Sequence, residues 1–301
     1  MRQQPIYVET SIKGNMDALW DKTQTPELHE QWDLRFSSIT YLDNADGVQH
    51  FTYERRLAPG IYIKGWRKTV GYHNSDEGTR TSSLHFGTDQ ITSPIKEGRG
   101  YWQYTPNEDS ITVVTQYDYE PGYGRIGKWA DQLVFRPLMG FATALSFDVL
   151  KGWVERGEAP ALQYRRLFTH WLLVGLFFFV WAYHGLVPKL LFMHPLEISM
   201  IPNVLSMTTE QLELLVIGVG VFEILVGMLW LFYPHKRHLY IFQIILFTGL
   251  LGGAVVADPS ILTYPFNPLN YNIVLVVVSI IGYMNLSNLP SAGNCLRERK
   301  D

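Results

Sequence analysis

The sequence of 301 residues contains one cysteine, Cys295, and this scarcity excludes several classes of protein. A single thiol forms no intrachain disulfide, no CxxC redox pair and no cysteine-built zinc site. Charged residues make up 18% of the chain and hydrophobic residues 47%, a composition too apolar for a disordered protein. The net charge is -3 and no stripe of lysine and arginine is present, so nucleic acid is not expected as a partner.

The sequence also lacks the short motifs that mark common catalytic sites. It contains no GxSxG, no P-loop and no HExxH. His235 and His238 are three residues apart, but they flank Lys236 and Arg237, and we interpret this stretch as a solvated basic loop. We therefore assign no metal site and leave the cofactor unknown.

Charge is distributed unevenly along the chain. The first 164 residues hold 17 basic and 21 acidic residues, whereas the remainder holds only 8 basic and 7 acidic residues. This contrast predicts a soluble domain over residues 1–156, a linker over 157–164 and a membrane domain over 165–301.

Four apolar runs in the second part have the length of membrane-spanning helices. A helix of about 20 residues crosses a hydrocarbon core of roughly 30 Å, and lipid offers no hydrogen-bond partner to an open backbone. The second run contains Glu213 and Glu223 and the others contain no Asp, Glu, Lys or Arg. The runs lie at about 167–187, 211–233, 239–257 and 269–289.

Basic residues predict how these spans are oriented. They precede the first span, join the second to the third and follow the fourth, so all three groups fall on one side of the membrane. They are Arg165, Arg166, Lys236, Arg237, Arg297, Arg299 and Lys300. The first ten residues also lack the apolar core of a signal peptide. We therefore expect a multi-pass protein of the cell membrane with its N-terminal domain and C-terminus in the cytoplasm.

The soluble part has an ordered pattern of short elements. Alternation over 5–12 predicts a strand, Asn15 caps a short helix that extends through Trp20, and Thr25 followed by Pro26 starts a second helix. Strand-like runs follow at about 36–42, 48–57, 61–72, 79–88, 97–105 and 110–119, which we interpret as an antiparallel meander. A helical period then covers about 124–155, with a kink at Pro137 and one apolar face. That face comprises Ile126, Ala130, Leu133, Leu138, Phe141, Leu145 and Val149.

This order of elements resembles the START-like or polyketide-cyclase-like superfamily, also called SRPBCC, over about residues 4–156. The resemblance is carried by PIYVETSIKGNMDALWDKTQTPELHEQWD at the start and by LKGWVE at 150–155. It implies an α+β helix-grip domain in which a sheet wraps a long C-terminal helix around an apolar cavity.

The second part is similar to the DoxX-like membrane family over about residues 166–286. The matching segments are GLVPKLLFMHPLE at 185–197, GVGVFEILVGMLWLF at 218–232 and DPSILTYPFNPLNYNI at 258–273. The resemblance implies an all-α four-helix transmembrane bundle. Its best-known relatives are subunits or accessories of quinone-linked redox systems.

Glu223 is the candidate catalytic residue, because an ionised carboxylate in the middle of a span must face protein or water. Gly220 and Gly227 share its helical face and would let another helix approach. One interpretation is a proton relay or ligand anchor, and the other is an interhelical brace to Gln243 or Asn272. A further polar set comes from the two connections on the side opposite the basic loops, and it forms either a small-molecule site or ordinary loop structure. Its residues are His184, Lys189, Glu197, Asp258, Asn267 and Asn270.

In the soluble domain the candidate residues line a pocket. Alternation over 61–72 puts Tyr62, Lys64, Trp66, Lys68, Val70 and Tyr72 on one face of the strand, and Ile61, Ile63, Arg67 and Thr69 on the other. We select Trp66, Tyr117, Phe141 and Leu145 as ligand-binding candidates.

Three functions remain open. In the first, a membrane-anchored protein binds a hydrophobic or amphipathic small molecule beside the bilayer: a lipid, an isoprenoid quinone or a polyketide-like compound. In the second, a quinone-linked redox accessory or membrane enzyme uses Glu223. In the third, the protein is a non-catalytic scaffold with a filled core. The lipid bilayer is a partner in each case, and a homo-oligomer or a membrane partner protein is compatible with all three.

Overall fold

A computed structural model of the chain describes residues 4–42, 50–58, 61–199, 201, 207–257, 259–263, 265 and 267–299. The chain divides into two compact units. The first comprises residues 1–164 and 290–301, and the second comprises residues 165–289.

The first unit contains a seven-stranded antiparallel sheet in the order β1-β7-β6-β5-β4-β3-β2. Consecutive strands pair as a meander from β2 to β7, and β1 closes onto β7. The predicted meander is therefore confirmed. The strands are β1 (Ile6–Ile12), β2 (Ser38–Tyr41), β3 (His50–Ala58), β4 (Ile61–Asn74), β5 (Arg80–Gly87), β6 (Ile95–Pro106) and β7 (Ile111–Pro121).

Two short helices connect β1 to β2, and a long helical segment follows β7. The helices are α1 (Met16–Gln24), α2 (Pro26–Trp32), α3 (Gly124–Ala130) and α4 (Arg136–Arg156), with a π-helical turn at Asp131–Phe135 between the last two. Asn15 caps α1 as predicted, because its side-chain oxygen accepts hydrogen bonds from the backbone amides of Asp17 and Ala18. The side chain of Thr25 does not cap α2 and instead donates to Asp21.

The C-terminal half of α4 packs across the sheet and forms the core. The ring of Phe147 lies 5.3 Å from that of Trp102 on β6, and Thr143 shares a hydrogen bond of 2.9 Å with Tyr117 on β7. Every residue from Thr143 to Leu150 is buried. A sheet packed on one long C-terminal helix is the helix-grip arrangement, so the expected α+β class is confirmed.

We call the first unit the soluble unit and the second the membrane unit. The last described residues pack against the rest of the soluble unit. The backbones of Leu296 and of Glu9 on β1 exchange two hydrogen bonds, which form an isolated antiparallel β-bridge. Asp148 on α4 accepts hydrogen bonds from the Ser291 amide and the Asn294 side chain. Cys295 is buried, and its thiol donates to the carbonyl of Ala144. The sequence boundary that gave all of 165–301 to the membrane domain therefore differs from the structure for residues 290–299.

The second unit is helical. Its elements are α5 (Pro160–His184, from Arg165 onward in this unit), a π-helical turn at Gly185–Leu191, α6 (Pro195–Ser199), α7 (Thr209–Phe232), α8 (Lys236–Ala257), a short 3-10 helix (Pro259–Thr263) and α9 (Pro268–Met284). The four predicted spans correspond to α5, α7, α8 and α9. Aromatic and polar contacts join these helices: Phe177 packs on Trp230, Trp181 stacks on Phe247, and Gln243 donates to Ser279 at 2.5 Å.

Length and composition single out three helical segments of the described chain as able to cross a membrane. They are Gly124–Arg156, Pro160–Leu191 and Thr209–Phe232, with Leu269–Met284 as a shorter apolar helix. The first of them belongs to the soluble unit, where its C-terminal half is buried against the sheet.

Candidate functional site

A buried cluster of charged side chains lies inside the soluble unit, at the end of α2. Arg35 forms two hydrogen bonds with the Asp33 carboxylate, at 2.9 and 2.6 Å, and Nε2 of His29 lies 3.0 Å from the same group. The His29 ring stacks on Trp32 with 4.9 Å between centroids. The Asp33 side chain is fully buried, so the pair is shielded from water.

Burial and pairing decide which of these groups carry charge. Burial alone would raise the pKa of Asp33, but the Arg35 charge and the hydrogen bonds from His29 and Arg35 outweigh it and hold that pKa well below its usual range. Burial lowers the pKa of His29 below its ordinary 6.5, against the opposing effect of Asp33. The imidazole is therefore neutral at pH 7, and Asp33 and Arg35 form a complete ion pair.

Arg67 on β4 is a buried cation with no such partner. Its side chain points into the interior, its residue is 7% exposed, and its Nε has no hydrogen-bond partner. Within the described chain no carboxylate forms an ion pair with it, and its guanidinium lies over the rings of Phe51 and Phe36 at 5.1 and 5.9 Å. Burial and the nearby Arg35 charge lower the pKa of Arg67 to about 10, so it stays protonated at neutral pH.

A cavity of about 20 Å³ lies beside Arg67. This volume has room for about one water molecule. Ser82 also lines the cavity, and its buried hydroxyl has no hydrogen-bond partner. The lining comprises Thr23, Gln24, Pro26, His29, Ile39, Tyr41, Phe51, Arg67, Thr69, Ser82, Leu84 and Trp102. The cavity is thus a small polar space between the sheet and the two short helices.

None of the four residues selected from the sequence lines this cavity. Trp66 lies on the other face of β4 from Arg67 and packs edge-on against His85, and Phe141 is 46% exposed. Tyr117 and Leu145 are buried in the core between the sheet and α4. Ligand contact at these four positions stays a prediction.

The alternation in β4 is as predicted, but the inward face is the one that carries Arg67 and Thr69. Both are buried, whereas Tyr62 and Tyr72 on the opposite face are about half exposed. The sequence analysis did not identify the cluster of His29, Asp33 and Arg35. For Arg67 a signal was available, because it shares one face of β4 with Ile61 and Ile63.

The helical face predicted over 124–155 is only half buried. Leu145 and Val149 are in the core, but Ile126, Leu133, Leu138 and Phe141 point to solvent. The predicted apolar face is therefore covered by the sheet only in its second half.

In the membrane unit a lysine lies between two carboxylates. The Nζ of Lys189, in the π-helical turn, is 3.0 Å from Glu223 on α7 and 3.2 Å from Glu197 on α6. Lys189 and Glu223 are both buried. The Lys189–Glu223 contact is an ion pair whose angles do not fit a hydrogen bond, because Oε2 of Glu223 has no hydrogen-bond partner. The structure thus brings Glu223 together with two residues of the predicted polar set, Lys189 and Glu197.

Two glycines on α7 permit this approach. A methyl group at Gly220 would lie 2.9 Å from the Gly185 carbonyl oxygen, and one at Gly227 would lie 3.2 Å from the backbone of Phe178. Helices that pack through small residues bring their backbones into close contact. The partner of Glu223 is Lys189, so the proposed brace to Gln243 or Asn272 is not present. Gln243 instead accepts from Trp181 at 3.3 Å.

The remaining members of the polar set lie apart from Glu223. The His184 carbonyl accepts a weak hydrogen bond of 3.4 Å from Lys189, and its ring packs on Tyr271. Asn267 caps α9 by accepting from the backbone amide of Asn270. Asn272 is half-buried on α9. Asp258 lies outside the described residues.

A model of the DoxX-like family matches residues 178–280. The uncharacterized membrane protein YndG of Bacillus subtilis (strain 168) is 46% identical over 187 residues, which are 62% of this chain and 70% of YndG.

Solved structures are similar to the soluble part. One is the STAR-related lipid transfer protein fragment from Xanthomonas axonopodis, with 19% identity and a TM-score of 0.38 over 49% of this chain and 84% of that chain. Another is the Zhui aromatase/cyclase from Streptomyces sp. R1128, with 11% identity and a TM-score of 0.37 over 52% of this chain and 98% of that chain.

Proposed function

This chain belongs to the same family as the membrane protein YndG and carries a DoxX-like region at residues 178–280, and we propose that its helix-grip domain binds an amphipathic small molecule with an acidic head group. The observation that carries the proposal is Arg67, a buried cation with which no carboxylate of the described residues forms an ion pair. Burying a charge is costly unless a partner compensates it. A carboxylate, phosphate or acidic phenol of a ligand would supply that partner.

The cavity beside Arg67 marks where the head of such a molecule would lie, but it is too small to hold that head as it stands. Its volume of about 20 Å³ requires side chains to move before either the head or the tail can enter. The edge of the sheet is the weakest part of the wall, because β2 has four residues and pairs only with β3. The Tyr41 hydroxyl on β2 donates to the carbonyl of Gln24, and both residues line the cavity. Release of this contact is the opening that the proposal requires.

The test is identification of the molecule that co-purifies with the full chain. We would use the whole protein, since residues 290–299 pack against β1 and α4 and a fragment that ends near residue 160 lacks them. The protein is extracted in mild detergent, and its small molecules are identified by mass spectrometry. The variants are Arg67→Met and, as a control, Arg80→Met, whose arginine pairs with the exposed Asp17 at the protein surface.

We expect about one molecule of an acidic amphiphile per chain in the wild type and in Arg80→Met. In Arg67→Met the amount should fall by about tenfold or more. A folded wild-type protein that carries no such molecule contradicts the proposal. So does a molecule that Arg67→Met retains in full. Either outcome favours the scaffold with a filled core, which the small cavity volume supports as an alternative.

A redox accessory or membrane enzyme that uses Glu223 is the second candidate. The observation in its favour is the Lys189 cluster, in which two carboxylates face one ammonium, so one negative charge is left over for a proton or a cationic ligand. Glu223→Gln keeps the shape and removes that charge. Unchanged membrane reduction of a quinone analogue in a strain that carries this variant would exclude a proton relay at Glu223.

For the orientation we propose that the soluble unit and the C-terminal tail lie together in the cytoplasm. Residues of the tail belong to the soluble unit, which supports an even number of crossings between them. The basic residues before α5 and between α7 and α8 support the cytoplasmic side. Cysteines introduced at His235 and at Ser260 test this, because an impermeant maleimide added to intact cells should label only the second.

A further inference from the structure

The first half of the long helical segment after β7 presents an apolar surface that the described protein leaves uncovered. We call this surface the α3 face; its residues are Ile126, Trp129, Leu133, Val134, Leu138 and Phe141. Ile126 is 82% exposed and Trp129 is 67% exposed. Soluble proteins rarely expose contiguous apolar surface of this kind unless it meets a partner or a membrane.

Polar contacts on the inner side hold the helix in this orientation. Asp131 is buried and accepts a hydrogen bond of 2.6 Å from the Tyr119 hydroxyl, and its other oxygen accepts from Arg136 at 3.1 Å. Arg136 also pairs with Asp118 at 2.8 Å. The inner side of the segment thus holds these polar contacts together with Phe135 and Met139, which pack on the sheet. The large apolar side chains of the α3 face lie on the other side and find no cover in the described part of the domain.

The segment that carries the α3 face has more basic than acidic residues. Arg125 and Lys128 are exposed, lie within one helical turn of Ile126 and Trp129, and form no ion pair within the described chain. The one acidic residue of the segment is Asp131, which the two contacts above neutralise. An apolar face that carries tryptophan and is flanked by basic residues has the composition of helices that lie in a bilayer interface.

We infer that the α3 face docks into the surface of the bilayer, with Ile126 and Leu133 among the acyl chains and Arg125 and Lys128 at anionic head groups. A membrane is always available to this domain, because only residues 157–159 separate the end of α4 from the start of α5. Interfacial helices of this type enter the head-group region by about 5–10 Å. The occupant is therefore lipid, not a second copy of the chain.

The test measures immersion of single sites in the full-length protein. Cys295 is replaced by serine, and a nitroxide is attached to Cys at position 126 or 133 (Ile126→Cys, Leu133→Cys) or, as a control, at 132 (Gln132→Cys). Gln132 is exposed on the same turn, outside the α3 face. The protein is reconstituted in vesicles of phosphatidylcholine with about 30% phosphatidylglycerol. Collision rates with oxygen and with a water-soluble nickel chelate are then compared.

We expect the ratio of the oxygen collision rate to the nickel collision rate to be several-fold higher at positions 126 and 133 than at position 132. Equal nickel collision rates at all three positions would place the α3 face in water and overturn the inference. Exclusion of both reagents at 126 and 133, or magnetic coupling between labels on two molecules, would show a protein cover and overturn it as well. Melting curves of the labelled variants verify that each is folded.

Discussion

Gly220 on α7 lies against the backbone of Gly185, so closely that a methyl group at position 220 would come 2.9 Å from the Gly185 carbonyl and 3.0 Å from the Cβ of Lys189. This contact places the π-helical turn on α7 and brings Lys189 to Glu223. The close approach of two glycines is therefore the condition for the buried ion pair in the membrane unit.

Gly220→Ala is expected to lower the apparent melting temperature of the detergent-solubilised protein by several degrees. The added methyl group must push the π-helical turn away from α7 and stretch the Lys189–Glu223 pair. Gly218→Ala is the matched control, because nothing lies within 4 Å of a methyl group there and alanine favours a helix. Equal melting temperatures for the two variants would disprove the close contact.

Lys189→Met should destabilise the membrane unit by about 3 kcal/mol, because Glu223 is left buried opposite an apolar group. The double variant Lys189→Met with Glu223→Gln should recover most of this loss, since it removes both charges. Thermal unfolding of the four proteins of this cycle measures the coupling. If the double variant is as unstable as the sum of the single ones, the two residues do not interact.

Arg67→Met should raise the melting temperature of the ligand-free protein. Burial and the Arg35 charge lower the pKa of Arg67 from 12.5 to about 10, which means that the protonated form is disfavoured by about 3 kcal/mol in the folded state. Methionine has a similar length and no charge. A lower melting temperature in Arg67→Met would show that the guanidinium stabilises the core.

The stability of the soluble unit should fall as the pH is lowered from 7 to 5, and His29 should contribute to the slope. Folding lowers the pKa of His29, so below its ordinary 6.5 the unfolded chain takes up a proton that the folded chain refuses. Asp33, Arg35 and Arg67 surround the ring and keep their charges over this range. One such proton changes stability by about 1.4 kcal/mol per pH unit.

His29→Gln should reduce the slope of stability against pH by the contribution of up to one proton. The exposed His73→Gln is the control. Melting curves between pH 5 and 7.5 supply the comparison. An unchanged slope in His29→Gln would mean that folding does not lower the pKa of His29.

Asp148→Ala should make the Cys295 thiol reactive. Burial raises the pKa of Cys295 to about 11, and Asp148 holds the surrounding tail through Ser291 and Asn294. Release of the tail exposes the thiol and restores an ordinary pKa. Reaction with an aromatic disulfide at pH 8 should be at least about tenfold faster than in the wild type or in the exposed variant Glu108→Ala.

Local signals in the sequence predicted most of the fold. The Asn15 cap and the seven strand-like runs depend on neighbours in the chain, and the structure confirms the cap and the seven strands. Periodicity shows that a helix has an apolar face but not what that face meets. Ile126 and Leu133 share the predicted apolar face with Leu145, yet they are exposed and Leu145 is buried.

The candidate sites depended on contacts between distant residues, which a single sequence does not contain. Glu223 stood out because a carboxylate within a span needs a partner, and Lys189 belonged to the expected polar set, yet nothing in the pattern paired them. On β4 both faces carry basic and large side chains, so alternation alone could not favour Arg67 over Trp66 as the inward residue.

The soluble domain is complete only when the C-terminal tail has packed on β1 and α4. The residues of the tail leave the ribosome after all the helices of the membrane unit, so the soluble domain that emerges first remains open at Glu9 and Asp148 during their insertion. In the orientation proposed above, only a chain whose helices cross the bilayer an even number of times returns this segment to the side on which β1 and α4 lie. Burial of Cys295 by the tail would then report that the membrane helices have inserted correctly.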